Sequence, residues 1–545
     1  MNSDVSFNSV EDFDPDVVLP SPPVLWRELA AVLGGVVLVD VTLYHGAGFA
    51  GIAAMLFGWS LLFWLGVSKP SVSGKILLIF ALLFVTAVKL IWCGFFSTAV
   101  AGFVLLFFFG MVQTGRRLSF APIIDYFFQI IFGSIEGFTN YRKFFVKRGV
   151  RIPSGTWLAV GLPLLAVVIF GTIFVAANPS LVDLCQRLFD KFIESFWNIS
   201  NIFPAWTQVF CWFLAAWILT GMIRPLQDIF ILFEREVIGA FKHKFSLDSE
   251  QTATTPIHSP YYVGYRNMLF AVIVLFMVYL VFEFKTLWFR DFPAGFCYSD
   301  YSHHGAAWLV VGLALSTVIL SMVFTTEMYR DPRIATLRRL AWIWSILNFV
   351  LALAVYNRLF LYINFNGMTR MRVIGLLGMT AVLLGFIMVV RKITEQRSFG
   401  WLLTRFAWTV LVMVFLDFVL PVDWLVHRYN VARILKGDYA PAVQISVHPC
   451  SNEGYLTFLP LATDCQDEVI RNGIRALLLQ KFAELDCQND SRQPNGKYFW
   501  TKYQLADQIL FRQLNTHRKH LENSDSGSDP DQLIRHFKDY VYQWY

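Results

Sequence analysis

Charge is scarce in this sequence. Only 15% of its 545 residues are Asp, Glu, Lys or Arg, against 56% hydrophobic and 17% aromatic, and the mean hydropathy is +0.52. Soluble domains carry about 25% charged residues, so an ordinary soluble fold is excluded for most of the length. Signatures of nucleotide and catalytic chemistry are also missing. There is no GxxxxGKS/T, no GxGxxG after a strand, no HExxH, no GxSxG and no kinase set. The seven cysteines contain no CxxC, which removes a zinc ribbon and a thioredoxin-type centre. Basic residues are spread over many loops, so nucleic acid is not an expected partner. The opening "MNSDVSFNSVEDFDPDVVLPSPP" lacks the basic and then apolar order of a secretory leader and reads as a flexible tail over residues 1–28.

What fills the chain instead is long apolar runs. They recur at roughly 17 to 22 residues, the length a helix needs to cross about 30 Å of hydrocarbon. They show none of the alternation of a membrane β-barrel, and in lipid only a helix satisfies its backbone within one segment. The expected fold class is therefore all-α transmembrane, with eleven spans near 29–44, 48–67, 76–92, 94–113, 155–177, 205–223, 268–284, 305–324, 340–362, 373–390 and 406–425. They make a polytopic domain over 29–425. "APIIDYFFQIIFGSIEGF" reads as a helix lying in the inner interface, its aromatics toward lipid.

Positive side chains resist translocation and mark the cytoplasmic side. With the N-terminus inside, 23 basic residues fall in inner segments, among them "NYRKFFVKRGVR", Arg333, Arg338, Arg391, Lys392, Arg397 and Arg405. Six fall in outer loops: Arg187, Lys191, Lys285, Arg290, Arg370 and Arg372. The inner basic loops suit anionic lipid headgroups. An odd span count leaves residues 426–545 outside. That segment carries 14 basic and 14 acidic residues and is expected to be a small soluble domain. In it "DEVIRNGIRALLLQKFAEL" spaces Val469, Ile470, Ile474, Leu477, Leu478, Phe482 and Leu485 as one helical face, and "LIRHFKDYVYQWY" forms a last short helix. Cys450, Cys465 and Cys487 allow one disulfide at most.

Ionisable groups within spans need a partner or a task, since each costs roughly 2.5 kcal/mol or more at the centre of the bilayer. Asp40 and Lys89 lie at matching outer depth and are expected either to pair or to snorkel. Asp417, inside "TVLVMVFLDFVLPVDW", has no partner in its own span. None of the ten histidines falls inside a span, yet His45, His303, His304 and His427 fall at outer ends. In "FCYSDYSHHGAAW", Tyr298, Asp300, Tyr301, His303 and His304 precede an apolar run. They form either a proton or metal site with His427 and Asp423 or the polar rim common at membrane interfaces. Two further outer constellations are "YNRLFLYINFNGMTRMR", with Arg358, Tyr362, Arg370 and Arg372, and "PVDWLVHRYNVAR", with Asp423, His427, Arg428, Tyr429 and Asn430. Arginine forks suit carboxylate or phosphate groups.

These segments carry a resemblance. "NRLFLYINFNGMTRMR" and "VDWLVHRYNVAR", together with "AANP" at 176–179 and "YSDYSHHGAAWLV", resemble motifs of a bacterial polytopic membrane protein family defined only as a domain of unknown function. By residue the resemblance covers Asn178, Pro179, Tyr298, Tyr301, Gly305, Arg358, Leu359, Tyr362, Gly367, Thr369, Arg372, Asp423, Arg428, Tyr429 and Asn430. Met368 stands where leucine is usual and His427 where a small residue is usual. The resemblance implies a fold and a bacterial inner-membrane location, and no activity.

From the sequence, transport or sensing of a small solute, ion or proton through an outward-facing polar cavity leads. A membrane-embedded metal-dependent or lipid-modifying enzyme and a structural or partner-docking role are the alternatives. No cofactor and no protein partner is specified. The topology predicts that a phosphatase reporter fused after Tyr545 is active and one fused near Lys244 is inactive. Equal activity at the two positions refutes the eleven-span topology.

Overall fold

The computed structural model describes residues 23–67, 72–116, 118, 120–148, 205–224, 261–285, scattered positions between 312 and 328, 331–395, 397, 399–491, 498–522 and 529–544. Over these residues the elements are all helical. In chain order they are α1 (Trp26–Val39), α2 (Phe49–Gly66), α3 (Gly74–Cys93), α4 (Phe96–Gln113), α5 (Phe120–Val146), α6 (Trp206–Ile223), α7 (Tyr262–Glu283), α8 (Ile334–Asn366), α9 (Arg370–Glu395) and α10 (Phe399–Val419). Shorter helices follow: α11 (Val422–Ile434), α12 (Ala442–Val447), α13 (Asn452–Tyr455), α14 (Leu459–Asp464), α15 (Glu468–Ser491), α16 (Leu505–Glu522) and α17 (Pro530–Val541).

Eight of these, α2, α3, α4 and α6 to α10, are long and apolar enough to cross a membrane. Their surfaces agree. On α3, Leu77, Leu78, Phe84, Val85, Val88 and Ile91 stay exposed, an apolar area that a soluble monomer would not leave to water. All this fits an all-α membrane protein. Of the other expected spans, 155–177 and most of 305–324 lie outside the described residues. The span at 29–44 is a 14-residue helix that runs into a π-turn at Asp40–Tyr44. The stretch expected to lie in the interface is within α5, a 27-residue helix that does not count among the eight.

Contacts divide the chain into two compact units. The first comprises Met1–Val37, Leu61–Val72 and Phe127–Leu226; the second comprises Leu38–Ser60, Ser73–Tyr126 and Gln227–Tyr545. In the first unit Ser134 Oγ donates to the Trp217 carbonyl at 2.7 Å, tying α5 to α6. Glu28 is buried and accepts from Tyr141 Oη at 2.7 Å and from the Arg224 guanidinium, Nη2 at 2.9 Å. The helix therefore begins at Trp26, inside the stretch expected to be tail, because Glu28 has a buried cation to meet.

In the second unit, α3 and α4, α7 and α8, and α9 and α10 pack as pairs. Ser73 caps α3, its Oγ accepting from Ile76 N at 3.4 Å. Residues from 431 to 541 share one core. Ile470, Ile474, Leu478 and Leu485 recur along one face of α15 and are buried against Leu510 and Leu514 of α16 and Phe537 and Val541 of α17. The helical spacing seen in "DEVIRNGIRALLLQKFAEL" is realised here. Cys450, Cys465 and Cys487 are free thiols.

Arg358 sits on α8 within the spans, 4% exposed, and its side chain forks onto Glu283 at the end of α7. Nε donates to Glu283 Oε1 at 2.5 Å and Nη2 to Oε2, while Nη2 also reaches Tyr279 Oη at 3.0 Å. Tyr279 in turn donates to Glu283 at 2.9 Å. A charge in this place has to bring its counter-ion along. Arg358→Leu is therefore expected to cost about 3–5 kcal/mol, and the double substitution Arg358→Leu with Glu283→Leu to recover a large part of it. Melting of the purified proteins in detergent measures both, and an unchanged single variant would show that the charge carries no structural weight.

Candidate functional site

One end of the second unit gathers most of the described polar residues picked out from the sequence. It is built where α3 stops, where α10 turns into α11, and where the short helix α13 packs on α11 and reaches α3 through Glu453. Lys89, 5% exposed near the end of α3, donates to Glu453 Oε2 of α13 at 2.6 Å. Trp92 Nε1 donates to the same oxygen at 2.9 Å. Of the two expectations for Lys89 and Asp40, pairing or snorkelling, the pairing is not made. Asp40 faces His45 at 3.3 Å, and Lys89 finds its anion in the C-terminal segment, 364 positions away.

A second tether lies beside the first. Gln504 accepts from Gly94 N at 2.5 Å and donates to the Leu90 carbonyl at 3.0 Å, closing the end of α3 with a side chain from the C-terminal segment. His45 stacks on Tyr498 with centroids 4.9 Å apart. On the other side, Thr98 Oγ1 of α4 donates to the Phe418 carbonyl of α10 at 2.8 Å.

Around Glu453 lies a small cleft lined by Lys89, Phe95, Arg370, Asp417, Phe418, Leu420, Val422, Asp423 and Glu453. It holds three carboxyl groups and two cations. Asp423 is buried and accepts from Ser451 N at 3.1 Å. Arg370 lies over the Phe95 ring at 5.1 Å. Asp417 Oδ1 is buried with no hydrogen-bond partner among the described residues. His427, 3% exposed, sets its ring edge-on to Phe458 at 5.1 Å, and its Nδ1 has no hydrogen-bond partner among the described residues. Gly454 packs so close that a Cβ there would meet Cys450 Sγ at 2.4 Å and His427 Cδ2 at 2.7 Å, so only glycine lets α13 approach α11.

Burial sets the proton affinities. It raises the Glu453 carboxyl above its ordinary range, and Lys89 and Trp92 pull it part of the way back. Burial likewise raises the Cys450 thiol, helped by Asp423 and Glu453. It pushes His427 down to about 4, with His448 adding to the fall and Asp423 opposing it. At neutral pH His427 is a neutral imidazole.

The other outer constellation turns out to be a clasp. Gly367 ends α8 at φ +85°, a conformation that glycine adopts without strain. Asn430 of α11 accepts from Met368 N at 2.7 Å and donates to the Met368 carbonyl at 2.8 Å, pairing with the turn as a neighbouring strand would. Arg372, assigned from the sequence to an outer loop, is buried. It donates to the Gly367 carbonyl and lies over the Tyr362 ring at 3.7 Å. Arg433 donates to the Ile363 carbonyl at 2.8 Å and pairs with Asp438. The two arginines thus cap the carbonyls that end α8. Arg428 and Tyr429 are exposed; Arg428 lies over the Trp424 ring at 4.7 Å.

Among the described residues no group of three or more His, Cys, Asp or Glu is arranged to hold a metal ion. Asp423 and His427 are neighbours. Tyr298, Asp300, Tyr301, His303, His304 and Gly305 lie outside the described residues, as do Asn178 and Pro179. Sequence reasoning missed Glu283, Glu453, Trp92 and Gln504. Glu283 had a usable signal, as an acid at the end of an apolar run with Arg358 needing a partner.

Comparison with protein families adds one finding. A model described as a domain of unknown function, DUF4153, matches residues 52–446. The chain belongs to the DUF4153 family. The clasp lies wholly inside the matched stretch, whereas Glu453 and Gln504 lie beyond it, so this DUF4153 chain anchors the end of α3, a family helix, at Lys89 through Glu453 and at Leu90 and Gly94 through Gln504 of its C-terminal segment. No curated protein and no solved structure matches the chain.

Lys89→Met leaves a buried carboxylate without its cation, and a loss of about 3 kcal/mol is expected. Adding Glu453→Gln should restore more than half of that loss. Denaturation in detergent, followed with a probe at residues 450–460, is the measurement, and additive losses in the double variant would show that the pair is not coupled.

Proposed function

We propose that this DUF4153 protein is a multi-pass sensor in the inner membrane, with a proton as its signal and the C-terminal helices as the part that responds. What carries the reading is the composition of the cleft: Asp417, Asp423 and Glu453 against Lys89 and Arg370, with one carboxylate oxygen of Asp417 lacking a hydrogen-bond partner among the described residues. Glu453 is the member of this acidic surplus that burial sets to take up a proton, since desolvation raises its carboxyl above the ordinary range. The cleft is also where the C-terminal segment meets the span ends, through Lys89–Glu453 and Gln504. A change of charge there bears directly on that attachment. A tightly filled cleft suits sensing better than passage of a solute.

A periplasmic C-terminus is supported by two observations. Outer ends expected from the distribution of basic residues, those near His45, Lys89 and Asp423, all meet the same C-terminal segment. Inner-loop residues Arg391, Arg397 and Arg405 carry exposed positive charge, as the cytoplasmic face should.

His427 gives the pH dependence its sign. Its folded value, about 4, lies below the ordinary 6.5. Its contribution to stability is therefore fully present above pH 6.5 and is lost as the pH falls toward 4. At about 1.36 kcal/mol per pH unit the full loss is a little over ~3 kcal/mol. Glu453, with its value raised, works in the opposite direction and gains stability on protonation. Facing these two are Lys89, Cys93, Arg370, Asp417, Asp423, His448, Cys450, Lys481 and Asp507.

Hydrogen exchange over residues 442–464 and 498–504, measured at pH 7.5 and pH 5 in detergent, tests the proposal. Protection should fall at pH 5 in the wild type and fall much less in His427→Gln. Protection independent of pH in both would sink the sensing reading, and proton uptake by proteoliposomes under a pH gradient would replace it with transport.

A further inference from the structure

Where α9 ends and α10 begins, the chain forms a cleft of about 300 Å³ lined by Met388, Arg391, Glu395, Arg397, Trp401 and Arg405. It continues into a second of about 440 Å³ lined by Leu118, Gly400, Trp401, Thr404, Arg405 and Trp408. Trp401 and Arg405 belong to both. The lower part is basic. Glu395 is held between Arg391 at 2.6 Å and Arg397 at 3.0 Å, which leaves a surplus of positive charge. Arg405 lies over the Trp401 ring at 5.8 Å, and no ion pair to a described carboxylate satisfies it. The upper part is aromatic and apolar, and it opens onto α10, whose apolar window is only 6% buried. Leu403, Val410, Leu411, Val412 and Val414 remain exposed along that helix.

From this we infer a binding site for one anionic phospholipid, its phosphodiester among Arg391, Arg397 and Arg405 and an acyl chain along Trp401, Trp408 and α10. Three observations converge. The charge is complementary, and guanidinium forks match phosphate oxygens in geometry as well as sign. The depth is right, because the arginines flank the ends of two apolar runs, at the level where tryptophan and basic side chains meet headgroups. The surface is continuous, since a bare apolar helix begins where the basic cleft ends, and that is the shape of a lipid rather than of a free anion. The inference rests on reading α9 and α10 as membrane spans. It does not depend on the sensing proposal.

The test uses the full-length protein in a neutral detergent, titrated with dioleoyl phosphatidylglycerol, dioleoyl phosphatidylcholine or inorganic phosphate and followed by native mass spectrometry and thermal melting. A saturable single adduct with phosphatidylglycerol is expected, favoured at least about tenfold over phosphatidylcholine, which is about 1.4 kcal/mol. Arg397→Gln with Arg405→Gln should abolish that preference while leaving the melting temperature without lipid unchanged. Arg405→Lys should retain part of it. Equal binding of the two lipids, or an unchanged preference in the double glutamine variant, would overturn the site. Stabilisation by inorganic phosphate equal to that by phosphatidylglycerol would overturn the lipid as occupant. Reporter fusions that place both ends of α10 on one side would instead overturn the span reading itself.

Discussion

A charge at the edge of hydrocarbon must be met by an opposite charge, and much of this fold follows from how that is done. Lys89 is the clearest case. It ends a helix whose other residues are almost all apolar, and its ammonium is met by Glu453 from a segment hundreds of residues later. Taking both groups out of water costs several kcal/mol each, and their attraction offsets this only with good geometry and further hydrogen bonds. Trp92 on the same carboxylate oxygen supplies one such bond. The pair is therefore a weak source of net stability and a strong source of specificity, because every arrangement that separates the partners leaves a bare buried charge. Arg358 with Glu283 and Tyr279 applies the same rule in the second unit, and Glu28 with Arg224 and Tyr141 applies it in the first.

This rule also explains which parts of the structure were legible in the sequence. Span positions follow from local composition, since length and apolarity are properties of one segment, and α2, α3, α4 and α6 to α10 fall where expected. The buried face of α15 follows from periodicity in the same way. Arg358 could be read as needing a carboxylate, because charge within a span is rare enough to stand out. Lys89 stood out for the same reason, yet its partner could not be picked. Matching by depth compares spans with spans, whereas Glu453 sits in a segment where acids are ordinary and carry no signal. Asn430 was visible as a motif residue but not as a mimic of strand pairing, since its two bonds depend on where the turn at Met368 lies after folding.

The motif residues divide into two groups once their contacts are known. Arg358, Gly367, Arg372 and Asn430 have their polar capacity directed at the protein itself, into a counter-ion, a carbonyl or a backbone pair. Substitution there would report first on folding, so loss of activity in such variants would not identify a ligand site. Asp417, Asp423 and His427 differ. Each is within or beside the cleft, and two of them keep a buried polar atom with no described partner. Unsatisfied buried polarity costs roughly 1–3 kcal/mol per group, and the fold tolerates it here within a few residues of the Glu453 tether. Polarity kept at that cost, where the C-terminal segment joins the spans, is what the proposed change of protonation at that joint would act on.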